Sequence, residues 1–141
     1  VSAYGYTGML AEKIAQGIAD SGDIDVRSYD MVTADAAKVQ EELQFADGML
    51  FGTPTIIAEA LRPIWDLTLG MFSVTHGGKY AGAFGSYGWS GEAVPNLTAR
   101  MQQLRLSLPL EGMRVRFCPT QEDLAAAVQF GRDFAKAVRG E

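Results

Sequence analysis

Short apolar runs closed by glycine or proline, amphipathic stretches of helical spacing between them, and the regular alternation of the two predict an α/β protein built on a doubly wound parallel sheet. Alternation of this kind makes right-handed βαβ units with helices on both faces of the sheet. At 141 residues the chain has the size of one domain with one sizeable core, so residues 1–141 read as a single unit.

The chain opens on a glycine turn. Thr7 is placed to cap a helix in which Leu10, Ile14 and Ile18 recur at helical spacing, with Gly22 just past its end. "DVRSYD" (residues 25–30) puts Val26 and Tyr29 in an extended run, and a second helix follows over residues 34–45. "GMLFGT" (48–53) is short, apolar and bounded by turn residues, as befits a strand covered on both faces. Residues 58–72 read as a third helix, with Pro63 in or near its first turn. "YAGAFGS" (80–86) is the next buried strand, its small residues letting helices approach closely. A fourth helix covers residues 92–106, where Pro95 is tolerable only in the opening turn. "MRVRF" (113–117) alternates like an edge strand, and Thr120 with Asp123 opens a last helix that runs to Val138. The strand that should feed the first turn falls almost entirely outside the sequence. Counting it gives five strands and five helices in the order 2-1-3-4-5, and the chain reads as a trimmed piece of a longer multidomain protein.

Composition narrows the function. With 48% hydrophobic and 21% charged residues the chain reads as soluble and globular. A net charge of −5 and a pI near 4.8 argue against a nucleic-acid partner, which needs clustered Lys and Arg on one face. No apolar run approaches the roughly 20 residues of a membrane span. The one cysteine, Cys118, excludes an internal disulfide and fits a reducing cytoplasm, and the one histidine, His76, excludes a multi-histidine metal site within this chain.

In doubly wound sheets, ligands bind beyond the carboxyl ends of the strands. Three loops therefore matter: "SAYGYTG" (2–8), "TPTI" (53–56) and "SYGWSGE" (86–92). The first offers hydroxyls at Ser2, Tyr4, Tyr6 and Thr7 between Gly5 and Gly8, with no basic residue before Lys13. Backbone N–H groups at a helix N-terminus, helped by hydroxyls, hold a phosphate without a cation. A hydrolase would add Lys, Arg or a metal, so this phosphate is held rather than transferred. In the second, Pro54 fixes the backbone between Thr53 and Thr55 and presents N–H and C=O groups to the edge of a planar heterocycle. In the third, Tyr87 and Trp89 supply flat faces, and the glycines allow close backbone approach. Each loop also has a plainer reading: a strand-to-helix turn with a Thr cap, an ordinary turn, and aromatics folded onto the core. Together they describe a site for a phosphorylated flat ring, a flavin. No acid–base or nucleophilic constellation is visible, and the "FGTPT" run lacks the phosphoacceptor Asp that a receiver domain of this topology needs.

"SAYGYT" resembles the FMN phosphate loop of flavodoxins, with Tyr6 standing where flavodoxins often carry Asn. "GTPT", "GAFGSYGWSGEAV" and "RVRFCPTQEDLAAAVQFGRDFA" resemble the flavodoxin-like domain of flavo-diiron proteins, most of all the cyanobacterial diflavin flavoproteins. The resemblance covers nearly the whole chain. It implies a flavodoxin-like fold and FMN as cofactor. Ser2, Tyr4, Gly5, Tyr6 and Thr7 match the phosphate turn, and Thr53, Pro54, Thr55 and Ile56 the loop on the isoalloxazine. Ser86, Tyr87, Gly88, Trp89 and Gly91 match the loop covering its other side. It further implies an electron-transfer module that passes electrons from a flavin reductase domain to a di-iron site in a metallo-β-lactamase-like domain, where oxygen or nitric oxide is reduced. Head-to-tail pairing as a homodimer belongs to the same implication. The chain has no ligands for the di-iron centre and should not turn over oxygen efficiently alone. The net charge of −5 and the nearby phosphate should disfavour the anionic reduced flavin.

Two alternatives stand beside this reading: a stand-alone FMN-dependent quinone reductase, and a flavodoxin-like interaction domain without cofactor. Elsewhere, His76 in "VTHGGK" reads as a solvated loop residue, Cys118 as a small structural residue and Trp65 as helix packing. "QEEL" and "RVRF" read as solvated faces, either of which could dock a partner domain.

Overall fold

A computed structural model describes residues 5–141. Six helices and five strands follow one another as α1 (Tyr6–Asp20), α2 (Ala36–Phe45), β1 (Gly48–Gly52), β2 (Thr55–Ile56), β3 (Glu59–Ala60), α3 (Arg62–Leu69), α4 (Ser73–His76), β4 (Tyr80–Tyr87), α5 (Ala93–Gln103), β5 (Met113–Arg116) and α6 (Gln121–Val138). The main sheet is parallel, in the order β1-β4-β5. β4 is the long central strand: residues 80–84 pair with β1 and residues 84–87 with β5. This is the order that the expected topology requires of its last three strands. The strand expected before the first turn lies outside the described residues, and residues 25–30 join no sheet. Arg27 and Tyr29 instead tie that segment to Glu42 of α2.

Alternation along β1 sorts side chains to two faces. Met49 and Phe51 pack with Val39, Leu43, Ile64, Leu97 and Met101 on one side. Leu50 points to the other, where Leu10, Ile14, Phe84, Val115 and Phe134 gather between the sheet and helices α1 and α6. Helices thus cover both faces, as the apolar strands demanded. A cavity of about 1080 Å³ lies beside β1, lined among others by Ile14, Ile18, Leu50, Phe51, Phe134 and Val138.

Several elements depart from expectation. The third helix is shorter than residues 58–72, because Leu61 is its N-cap and Pro63 stands in its first turn; a hairpin, β2–β3, occupies the residues before it. Its two-residue turn is made by Ile57 (φ 50) and Ala58 (φ 59), both left-handed. Thr7 is not the cap of α1. Gly5, at φ 81, takes that place, and Thr7 is buried inside the first turn. His76 is not solvated: it is 2% exposed at the end of α4, where its Nδ1 lies 3.2 Å from the Phe72 N–H. Cys118 is exposed rather than packed. The capping box of α6 stands as expected, with Asp123 N–H donating to Thr120 Oγ1 at 3.1 Å and Thr120 N–H to Asp123 Oδ2 at 2.9 Å.

Candidate functional site

The carboxyl ends of β1 and β4 and the N-terminus of α1 meet on one edge of the fold. Thr7 Oγ1 and Ser86 Oγ lie 2.9 Å apart and are buried, which locks the start of α1 to the end of β4. The first turn of α1 carries no acidic side chain. A phosphate approaching its N-terminus therefore meets the positive end of the helix dipole without carboxylate repulsion.

The loop after β1 is held by its hydroxyls. Thr53 is fully buried; its Oγ1 donates to the Pro54 carbonyl at 3.0 Å and accepts from the Leu61 N–H at 3.1 Å. Thr55 Oγ1 accepts from the Ala93 N–H at 3.1 Å, so the hairpin is fastened to the first turn of α5. Asn96 Nδ2 adds bonds to the Ala58 carbonyl at 3.4 Å and to Glu59 Oε1 at 3.0 Å. What this loop presents outward is the hairpin's backbone and the exposed side chains of Ile56 and Ile57.

Partial desolvation works to raise the Glu59 carboxyl, but hydrogen bonds from Asn96, the Ala60 N–H and Trp65 outweigh it, so it titrates below its ordinary 4.5. A depressed carboxylate contributes stability above the unfolded value and loses it as pH falls through the folded one. The urea midpoints of the protein and of Glu59→Gln are therefore expected to differ by a constant amount above pH 4.5 and to converge below it. A gap that stays constant into acid would show that the hairpin clamp does not depend on this charge.

The loop after β4 carries Tyr87, half-buried, and Trp89, which is 94% exposed. At its end, Glu92 caps α5, and one of its carboxylate oxygens is buried without a hydrogen-bond partner among the described residues.

The structure brings the described candidates together: Gly5, Tyr6 and Thr7 at the start of α1, Thr53, Pro54, Thr55 and Ile56 after β1, and Ser86, Tyr87, Gly88, Trp89 and Gly91 after β4. Ser2 and Tyr4 lie outside the described residues. Thr7 and Ser86 tie the start of α1 to the end of β4, Thr55 ties the hairpin to α5, and Thr53 braces its own loop. Three features went unread in the sequence. The hairpin turn at Ile57 and Ala58 lacks the Gly, Asn or Asp that signals such turns. Glu92 reads as an ordinary first-turn acid. Phe117, after β5, gives no hint of its left-handed φ of 56.

Comparison with known proteins agrees with this architecture. The family model described as Flavodoxin matches residues 1–131. The chain is 41% identical over 138 residues to a flavo-diiron protein, FprA2, of Clostridium acetobutylicum, covering 97% of this chain and 34% of that protein. It is 37% identical over 138 residues to putative diflavin flavoprotein A 4 of a Nostoc species, covering 98% of this chain and 24% of the relative. Among solved structures, the flavodiiron core of Flv1 from Synechocystis superposes with a TM-score of 0.87 at 32% identity, over 99% of this chain and 34% of that one. The chain thus spans about a third or less of the length of these relatives.

Proposed function

The chain belongs to the flavodoxin family, and on that premise we propose that it binds FMN and serves as the electron-transfer module of a flavo-diiron oxygen or nitric oxide reductase. The observation that carries the reading is Trp89, a large aromatic side chain left 94% exposed on a loop fixed between β4 and α5. A solvated indole three residues beyond Ser86, whose hydroxyl touches the start of α1, is a candidate to stack on a flat ring.

The residues present fit the cofactor. Gly5 has open space where a β-carbon would stand and adopts φ 81, so the backbone at the start of α1 is unencumbered. Glu92 offers a buried acceptor with no donor among the described residues, a partner of the kind a flavin-ring N–H could supply. When bound, FMN supplies the redox chemistry. The protein's part is to anchor the phosphate at α1, to seat the ring between the hairpin of residues 55–60 and the loop of residues 88–92, and to keep water from its covered face. Electrons would arrive from a flavin reductase domain and leave for a di-iron site in a metallo-β-lactamase-like domain, with head-to-tail subunits bringing the two centres together. We assign the di-iron centre to another domain of the parent protein, since the flavo-diiron relatives are about three times the length of this chain. No described helix is long and apolar enough to cross a membrane; we place the protein in the cytoplasm. We read the chain as one domain of a longer flavoprotein, because it spans about a third or less of the relatives it matches.

Titration of the protein into FMN, followed by flavin fluorescence, tests the reading. Quenching that saturates at one FMN per chain is expected. A folded domain that leaves the fluorescence untouched would refute the electron-transfer role and favour an interaction domain.

A further inference from the structure

The tip of the hairpin is built against the preferences of its own residues. Thr55 and Ile56 pair with Ala60 and Glu59, which leaves Ile57 and Ala58 as a two-residue turn with φ of 50 and 59. Such turns ordinarily use Asn, Asp or Gly, because a β-carbon is crowded in left-handed backbone and a β-branched side chain more so. Ile57 is also 95% exposed, so burial of its side chain does not offset the strain.

The shape is imposed from the two flanking helices. On α5, Asn96 Nδ2 donates to the Ala58 carbonyl at 3.4 Å and to Glu59 Oε1 at 3.0 Å. On α3, the Trp65 indole N–H adds a bond to the Glu59 carboxylate, which also accepts from the Ala60 N–H at 3.0 Å. On the other strand of the hairpin, Thr55 Oγ1 accepts from the Ala93 N–H at the start of α5. Asn96 thus holds both the carbonyl of the turn and the carboxylate next to it. A hairpin that had only to reverse the chain would take Asn-Gly and dispense with this clamp. Strain that the surrounding structure keeps in place gathers where ligands are bound.

We propose that Ile57 is a flavin contact, the apolar cover that the hairpin lays against the ring across from the Trp89 loop, and that Asn96 is its positioning residue. The proposal rests on the FMN reading. An aliphatic side chain held against a flat ring removes apolar surface of both from water. A turn fixed before binding loses no freedom at capture. Affinity and stability therefore move in opposite directions at Ile57: the side chain strains the free protein and strengthens the complex.

Fluorescence titration with FMN, beside thermal melting of the free protein, separates this from a purely structural hairpin. Ile57→Gly removes the side chain and enters left-handed backbone freely. It should leave the melting temperature level or raise it by up to about 3 °C, and yet weaken FMN binding about fivefold or more. Asn96→Ala should weaken binding about fivefold or more, and adding Ala58→Gly, which lets the turn form without the clamp, should return the affinity to within about twofold of the parent. The visible circular dichroism of bound FMN should change in Asn96→Ala and return with Ala58→Gly. An Ile57→Gly variant that binds FMN as tightly as the parent, or that melts lower, would overturn the contact. Undiminished binding in Asn96→Ala, or a loss that Ala58→Gly leaves unrepaired, would overturn the positioning role. Failure of the parent protein to take up FMN is a separate result, which removes the reading beneath the proposal and the proposal with it.

Discussion

Replacing Gly131 with alanine is expected to lower stability by roughly 1–3 kcal/mol, against the usual trend for helices. In an open helix the same change gains about 1 kcal/mol, because alanine has less backbone freedom to lose on folding. At this crossing a β-carbon on Gly131 would stand 2.1 Å from the Ile14 carbonyl oxygen of α1, and one on Gly17 would stand 2.0 Å from the Val128 carbonyl oxygen of α6. Both obstacles are backbone, so no side-chain rotation relieves them. The helices must part, loosening the packing of Leu10, Ile14 and Phe134 between them and the sheet. Thermal melting should register a fall of roughly 4–12 °C. The double variant Gly17→Ala/Gly131→Ala should lose less than the sum of the two, since the first substitution already separates the pair. An increase in melting temperature would mean that α1 and α6 do not cross at these glycines.

Trp89→Ala is expected to weaken FMN binding about tenfold to a hundredfold while moving the melting temperature of the free protein very little. Stacking of a flat base on an aromatic side chain contributes about 1–3 kcal/mol, and each 1.4 kcal/mol is a factor of about ten in affinity. The same indole is 94% exposed without ligand, so truncating it removes almost no packing. This separation of affinity from stability is what distinguishes a ligand contact from a core residue. Fluorescence titration and melting of parent and variant give both quantities. An unchanged dissociation constant would move the stacking role to Tyr87 or to the hairpin tip, and a large loss of stability would mean that Trp89 packs on the protein.

The sheet was legible because its strands are short apolar runs closed by glycine, and the last helix because its Thr120–Asp123 box is a local signal. The two-sided core was legible for the same reason: β1 and β4 are apolar on both faces, and only helices on both sides could bury them. The hairpin of residues 55–60 was not. Its turn depends on Ile57 and Ala58 adopting left-handed backbone, which neither residue favours, and the cause lies in tertiary bonds from Thr53, Thr55 and Asn96. His76 was misread because the two glycines after it look like open loop, while the short helix before it turns the ring inward. The loops proposed for the site could be picked out in the sequence, since strand ends are where such sheets bind ligands. The duties of their hydroxyls could not, because Thr7 and Ser86 meet only after 79 residues of chain have folded back.

That tie, together with those of Thr53 and Thr55, bears on the entropy of recognition. Loops that must find their shape around a ligand surrender conformational freedom at the moment of contact, and the loss is subtracted from affinity. Here side-chain oxygens latch the start of α1 to the end of β4 and the hairpin to the first turn of α5, and Thr53 braces its own loop. For the loops so tied, the ordering cost belongs to folding, and a flavin bound as proposed would meet walls already held in place.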